Sequence, residues 1–376
     1  MEDVLKKRMN KLYLCDKSHR YINCSGGIYA TIKGNLIKLF LIIFYLFFNI
    51  SSYSAEVSRS RVIMGTLVQI KVIHEGILEK ELNSAIDKAF EVMEEIDRLM
   101  SNYKEDSEVS RVNKLKENER MRLDPQTFDV IQRSKEFGKL TSGAFDITVE
   151  PLLELWGVYS GGVPRVPDDD EIKKALGLIG YDKIVLDKEK ETIGFTKEGV
   201  RIDLGGIAKG YAVDKAMESL GNSGIRNALV EAGGDIFVRG SGTNFSGWRI
   251  GVQHPRKEGE YLTILELEDK AVSTSGDYER YFIINNKRYS HIIDPRTGLP
   301  KSNVPASVTV IAQDSTTADT LATAVFVLGA ENGIRLIESM TGVEGMIVSE
   351  KNGSLIIDKS HGFDKYVKLD SSLYSE

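Results

Sequence analysis

The strongest constraint in this sequence is a stripe of apolar side chains, Leu82, Ile86, Ala89, Met93, Ile96 and Met100, recurring at alternating four- and three-residue steps. That spacing sets all six on one face of an α-helix, and such a face must be covered by another layer. The stripe therefore reads as core. A second helix is expected to start at Asp124-Pro125, where a capping side chain precedes a proline at the first helical position. Ahead of the first helix, Arg61 to Val72 reads as a strand interrupted by Met64-Gly65-Thr66. From Tyr181 onward short β-rich runs alternate with turns, among them Lys183–Leu186, Gly199–Ile202, Trp248–Val252, Tyr261–Leu267 and Ser307–Ala312. Two helical stretches, Ile207–Leu220 and Thr316–Val327, break the series. With no internal repeat and no long linker, this mixture predicts an α+β protein: one compact body of helices packed on a mostly antiparallel sheet.

Composition is ordinary for a soluble globular chain of 376 residues, 28% charged and 41% hydrophobic. The formal net charge of −6 lacks the basic footprint that nucleic acid calls for. Both cysteines, Cys15 and Cys24, precede the body. No thiolate nucleophile, Cys-based metal site or disulfide is thus expected beyond them, and any metal must be held by oxygen or by histidine. Lys33 and Lys38 flank and enter the apolar run Leu39–Phe48, which is followed by Ser51-Ser52-Tyr53-Ser54-Ala55. A basic region, a short apolar region and small residues are the anatomy of a secretory signal. The run is short of the ~20 apolar residues of a transmembrane helix. The expected division is a leader over residues 1–55 and a functional domain over 56–376. The expected location is outside the cytoplasm, in a periplasm or on the outer face of the membrane, with an uncleaved anchor as the alternative.

Three segments carry chemistry. In Asp203-Leu204-Gly205-Gly206-Ile207-Ala208-Lys209-Gly210 a glycine pair leads into a helix start, whose free N–H groups suit a phosphate. A plain strand-to-helix turn explains the same pattern. In Thr317-Ala318-Asp319-Thr320-Leu321-Ala322-Thr323 the carboxylate and the hydroxyl of Asp319 and Thr323 share a helical face, a pairing that suits Mg²⁺. The alternative is that Asp319 caps the helix and Thr323 bonds back to a carbonyl. In Ser290-His291-Ile292-Ile293-Asp294-Pro295-Arg296-Thr297-Gly298, a His, an Asp and an Arg crowd a tight turn after a strand, where ligand loops tend to sit.

In this order, and together with Val62–Thr66, Leu99–Tyr103, Gly143–Thr148 with Leu155–Gly157, Glu231–Asp235 and Ser273–Tyr278, these segments resemble the ApbE family of FAD:protein FMN transferases. The resemblance implies that FAD is held by Met64, Tyr103, Ala144, Phe145, Asp146, Asp203, Lys209 and Ile293. It implies a magnesium ion held by Asp319, Thr323 and the residue at Gly206, which can offer only its backbone carbonyl. It further implies transfer of FMN from FAD to a Thr or Ser hydroxyl of an acceptor flavoprotein, either a subunit of a membrane redox complex or an extracellular flavoprotein, with release of AMP.

Such chemistry asks for positioning and charge neutralisation more than for a covalent nucleophile. His291 is the candidate base for the acceptor hydroxyl, since histidine titrates near neutrality, and Asp294 would orient it or act in its place. Two other activities fit the same residues: a pyrophosphatase splitting FAD with water as acceptor, and a flavin-binding protein without catalysis. Many members of the family are lipoproteins, but no cysteine follows the apolar run here, so lipid anchoring by that route is not expected.

Overall fold

Eight strands follow one another through an antiparallel sheet in the order in which they occur in the chain. They are β1 (Ser54–Ile63), β2 (Thr66–Glu75), β3 (Asn227–Ala232), β4 (Asp235–Arg239), β5 (Lys270–Gly276), β6 (Ser307–Ala312), β7 (Glu344–Lys351) and β8 (Ser354–Lys359). The computed structural model describes residues 54–75, 78–159, 163–242, 246–278, 281–284, 287–300 and 305–370. The expected leader lies outside the described residues except at its end. Among the described residues no helix is long and apolar enough to cross a membrane.

Alternation along the strands sorts side chains to two faces. On one face Val68, Ile70 and Val72 of β2 and Ala228, Val230 and Ala232 of β3 pack with α1 (Glu79–Met100) and α2 (Ala208–Asn222). All six residues of the sequence stripe are buried there. Further along the same face, α3 (Ser315–Leu328) and α4 (Ala330–Glu338) cover Ala271, Val308, Val310 and Ala312. On the other face Ile73, Val238, Val272 and Ile311 pack against a three-stranded sheet of Trp248–Gln253, Tyr261–Leu267 and Val367–Asp370. The expected helix after Asp124 runs from Pro125 to Leu140, with the Asp124 carboxylate accepting from Gln126 N at 2.9 Å.

One expected strand is absent. Residues 199–202 form no ladder, because side chains take the place of a neighbouring strand. Ile202 N donates to Asn113 Oδ1 at 2.8 Å, and Ile202 O accepts from Asn102 and Asn113 Nδ2 at 3.1 and 2.9 Å. The chain enters the Gly205-Gly206 turn from a backbone held by asparagines.

Two turns mark one end of the sheet. Ile63 pairs with Thr66 across Met64 (φ 55°) and Gly65 (φ 70°), a two-residue turn with both central residues left-handed, matching the twist of its strands. Gly233 (φ 59°) and Gly234 (φ 93°) join β3 to β4 in the same way. A Cβ on Gly233 would lie 2.7 Å from Thr66 Oγ1, so the two turns touch and only glycine fits.

Candidate active site

Helix α2 lays its first turn against α3, and glycine permits the contact. A Cβ on Gly210 would lie 2.4 Å from the Ser315 carbonyl oxygen and 2.9 Å from Asp319 Cβ. Asp319 does not cap α3: that role belongs to Asp314, which accepts from Thr317 N at 2.8 Å. Asp319 sits in the helix body, 3% exposed, where its Oδ2 accepts from Gly210 N at 3.1 Å and lies 3.4 Å from Lys209 Nζ. The same ammonium is 2.6 Å from Oδ2 of Asp235, the first residue of β4. The other oxygen of Asp235 accepts from the hydroxyl of Ser273, its ladder partner on β5.

Two buried carboxylates thus share one ammonium. Burial, reinforced by the charge of Asp235 and opposed by Lys209, pushes Asp319 well above the usual carboxylate range. Burial also opposes the charge on Lys209, but Asp235 and Asp319 outweigh it and hold the amine protonated beyond its ordinary range. Thr323 follows Asp319 by one turn on the same face of α3. A Cβ on Gly206 would lie 3.6 Å from Thr323 Oγ1 and 3.2 Å from Phe145 Cε2, so the glycine backbone, the hydroxyl and the ring adjoin. Among the described residues no cluster of three His, Cys, Asp or Glu side chains could hold a metal. A cation here would rest on one carboxylate with neutral oxygens beside it. The donor set of Asp319, Thr323 and the Gly206 carbonyl fits a hard divalent ion that keeps water or phosphate oxygens in its remaining positions.

Asp203 borders the same turn. Its Oδ1 accepts from Gly205 N at 2.7 Å, and its Oδ2 accepts from Asn102 Nδ2 at 2.8 Å and from Tyr159 Oη at 2.9 Å. Burial and the neighbouring Asp203 charge keep the Tyr159 phenol protonated. The ring of Tyr159 meets Tyr103 edge-on at 5.8 Å, and Tyr103, 63% exposed, offers an aromatic surface beside Asp203.

The remaining expected residues line adjoining turns. Ala144 and Phe145 are buried, with Phe145 N donating to Thr141 Oγ1 at 3.0 Å. Asp146 faces inward and accepts from Thr148 N, Thr148 Oγ1 and Tyr181 N at 2.9, 2.6 and 2.7 Å. A Cβ on Gly143 would lie 3.6 Å from Arg296 Cγ, which joins this turn to the one at 294–298. Ile293 is buried with Leu152, Trp156 and Ile172. Asp294 is gripped by Arg296 through Nε and Nη2 at 2.9 and 2.8 Å, so both its oxygens are engaged. His291 follows the strand Lys287–Ser290 and is half-buried. Met64 occupies the left-handed turn between β1 and β2, at the sheet end where β4 begins with Asp235.

Sequence reasoning assigns no role to Asp235, Ser273, Asn102 or Tyr159. Asp235 carries the one available signal, an acid directly after a glycine pair. Its meeting with Lys209 and Ser273 depends on strand register, which local pattern does not give.

The model of the ApbE family matches residues 64–347. The chain is 37% identical over 302 residues to the FAD:protein FMN transferase of Vibrio cholerae, covering 79% of this chain and 89% of that protein. It is 33% identical over 315 residues to the protein of the same name from Haemophilus influenzae, covering 82% and 91%. Among solved structures, the ApbE protein of Thermotoga maritima superposes with a TM-score of 0.76 at 37% identity, covering 84% of this chain and all of that one. The Pseudomonas stutzeri flavinyl transferase ApbE, in its apo form, superposes with a TM-score of 0.75 at 31% identity, covering 83% and 97%.

Proposed function

Because the chain belongs to the ApbE family, we propose that it is a magnesium-dependent transferase that moves FMN from FAD onto a Ser or Thr hydroxyl of another protein and releases AMP. The observation that carries this reading is the surplus negative charge at the junction of α2 and α3, where Asp235 and Asp319 face a single ammonium. A buried carboxylate left short of positive charge is a place for a cation. Asp319, Thr323 and the Gly206 carbonyl would hold Mg²⁺, which when bound neutralises charge on the pyrophosphate and on the departing AMP.

The chain's own groups do the rest. Lys209 sets a positive charge in the first turn of α2, at the positive end of the helix dipole, which favours a phosphate even though Ala208 N and Gly210 N are already taken by Leu204 O and Asp319 Oδ2. Asp203, immobilised by Gly205, Asn102 and Tyr159, holds a polar part of FAD beside Tyr103. Phe145 walls the Gly206 side of the cleft. His291 takes the proton from the acceptor hydroxyl as its oxygen bonds to the FMN phosphorus and the bond to the AMP oxygen breaks. The acceptor is a flavoprotein subunit of a membrane redox complex or an extracellular flavoprotein. This agrees with export of the chain by its leader, which N-terminal sequencing near Ala55 or Glu56 would check.

Incubation with FAD, Mg²⁺ and a candidate acceptor, read by mass spectrometry, tests the reaction. Covalent FMN on an acceptor Ser or Thr, with AMP released in equal amount and suppressed by chelator, is the expected result. AMP and free FMN appearing at the same rate without acceptor would make the protein a pyrophosphatase instead.

A further inference from the structure

Resting on that metal-dependent reading, we propose that Asp235 is a positioning residue for the cation site: it anchors the Lys209 ammonium so that Asp319 stays available to the divalent ion. Lys209 reaches two carboxylates from the first turn of α2, and it sits nearer to the one that the metal reading does not use, 2.6 Å from Asp235 against 3.4 Å from Asp319. Asp235 is built to hold it there. The residue is 2% exposed, belongs to a central strand, and is paired across the ladder with Ser273, whose hydroxyl takes its second oxygen. One oxygen is thus fixed by the sheet and the other turned to Lys209. The lysine itself stays 27% exposed in its side chain and hangs from the flexible end of a long stem, so its place is set by whichever carboxylate pulls harder.

The charges of the trio add to −1: two carboxylates against one ammonium. With a neutral side chain at 235, Lys209 has a single carboxylate left, and the trio becomes neutral. An ammonium fully on Asp319 competes with a divalent ion for the same oxygens. Asp235 would then act on the metal without touching it, by occupying the competing cation. Groups that orient or balance a metal ligand in this indirect way commonly change affinity by roughly 10–100-fold when removed.

The test is Mn²⁺ binding to the full chain without FAD, followed by electron paramagnetic resonance of the free ion, with circular dichroism melts to show that each variant is folded. Asp235→Asn should weaken Mn²⁺ binding by roughly 10–100-fold. Lys209→Met should bind at least as tightly as wild type, because the competitor is gone. The double variant, whose remaining charge on Asp319 equals the wild-type sum, should return to near wild-type affinity. Ser273→Ala should weaken binding in the direction of Asp235→Asn, by a smaller factor. Wild-type affinity in Asp235→Asn would overturn the proposal. A double variant as weak as Asp235→Asn would also overturn it, since Asp235 would then be a ligand itself. Absence of Mn²⁺ binding by the wild-type protein would remove the metal reading beneath it, a result that no comparison among the variants can imitate.

Discussion

The turn at 141–150 and the junction of α2 with α3 each bury a carboxylate, and the two have been solved in opposite ways. Asp146, 5% exposed, receives three neutral donors, two of them from Thr148 two residues away. Asp319, 3% exposed, receives one backbone N–H and a share in an ammonium that leans toward another carboxylate. Burial raises the pKa of both. Asp146 is closed by its own chain. Asp319 depends on partners more than a hundred residues away in sequence and is left with charge to spare. A buried acid saturated by neutral donors is scaffold, and one sharing too little positive charge is a place where an ion can bind.

Asp319→Ala should break the comparison at its functional side. It removes the one full charge that the proposed ion takes from its ligands, and transfer should fall by roughly 10³-fold or more, the loss expected when the main electrostatic stabiliser of a developing charge is deleted. The cap of α3 is untouched, because Asp314 supplies it, so the stability cost should be limited to about 1–3 kcal/mol for the stranded Gly210 N. A folded Asp319→Ala protein that transfers FMN normally, with unchanged Mg²⁺ dependence, would end the assignment. His291→Ala should follow at roughly 10²–10⁴-fold in rate, with FAD affinity much less affected, because a base acts on the acceptor and not on the bound dinucleotide. Single-turnover transfer and FAD titration on the same variant separate the two effects.

The structural side should fail in a different observable. Asp146→Ala strands Thr148 N, Thr148 Oγ1 and Tyr181 N in the interior, at about 1–3 kcal/mol for each unsatisfied group, so a loss of at least about 3 kcal/mol in stability is expected. Urea unfolding measures it. Transfer per folded molecule should fall far less than in Asp319→Ala. If Asp146→Ala is stable but inactive, its carboxylate serves the flavin directly and the contrast between the two acids collapses.

The sequence was most legible where a signal is local. The stripe on α1 follows from spacing and the helix start at Asp124 from its cap and proline, and the helices that carry Lys209 and Asp319 lie within two residues of their expected bounds. The i,i+4 relation of Asp319 and Thr323 was legible for the same reason. What stayed hidden is register and long-range substitution. The β-rich pattern at 199–202 reads as a strand, because nothing local reveals that Asn102 and Asn113 satisfy that backbone from about a hundred residues upstream. Asp235 reads as the end of a glycine turn until the β4–β5 ladder sets it opposite Ser273 and under Lys209. Asp294 reads as a partner for His291, yet Arg296, two residues on in the turn, takes both its oxygens.

A third acid, Asp214, lies between the two extremes and shows its effect through pH. It sits on α2 and holds the start of α3, accepting from Ser315 N at 2.7 Å, Thr316 N at 2.9 Å and Thr316 Oγ1 at 2.5 Å. Burial pushes its pKa up to about 6, against the pull of the Thr316 hydrogen bonds. Because the folded value lies above the unfolded carboxylate value of 3.8, the folded state binds the proton more tightly. The resulting stability is fully present below pH 3.8 and is lost as pH rises through about 6. Asp214→Asn does not titrate, and its amide can still accept from one of the three donors. At pH 4 the variant should therefore be less stable than wild type, by the loss of a helix-start acceptor and of the protonation gain together. On going to pH 7.5 the wild-type protein should lose roughly 2–3 kcal/mol relative to the variant, so that the gap narrows to the cap contribution of about 0.5–2 kcal/mol or closes. Urea melts of both proteins at the two pH values read the difference, with titrating groups that do not face Asp214 cancelling and Asp314, whose charge also raises the Asp214 pKa, the neighbour that does not. An equal gap at both values would mean that Asp214 is ionised throughout, fully served by its donors, and belongs with Asp146 as closed scaffold.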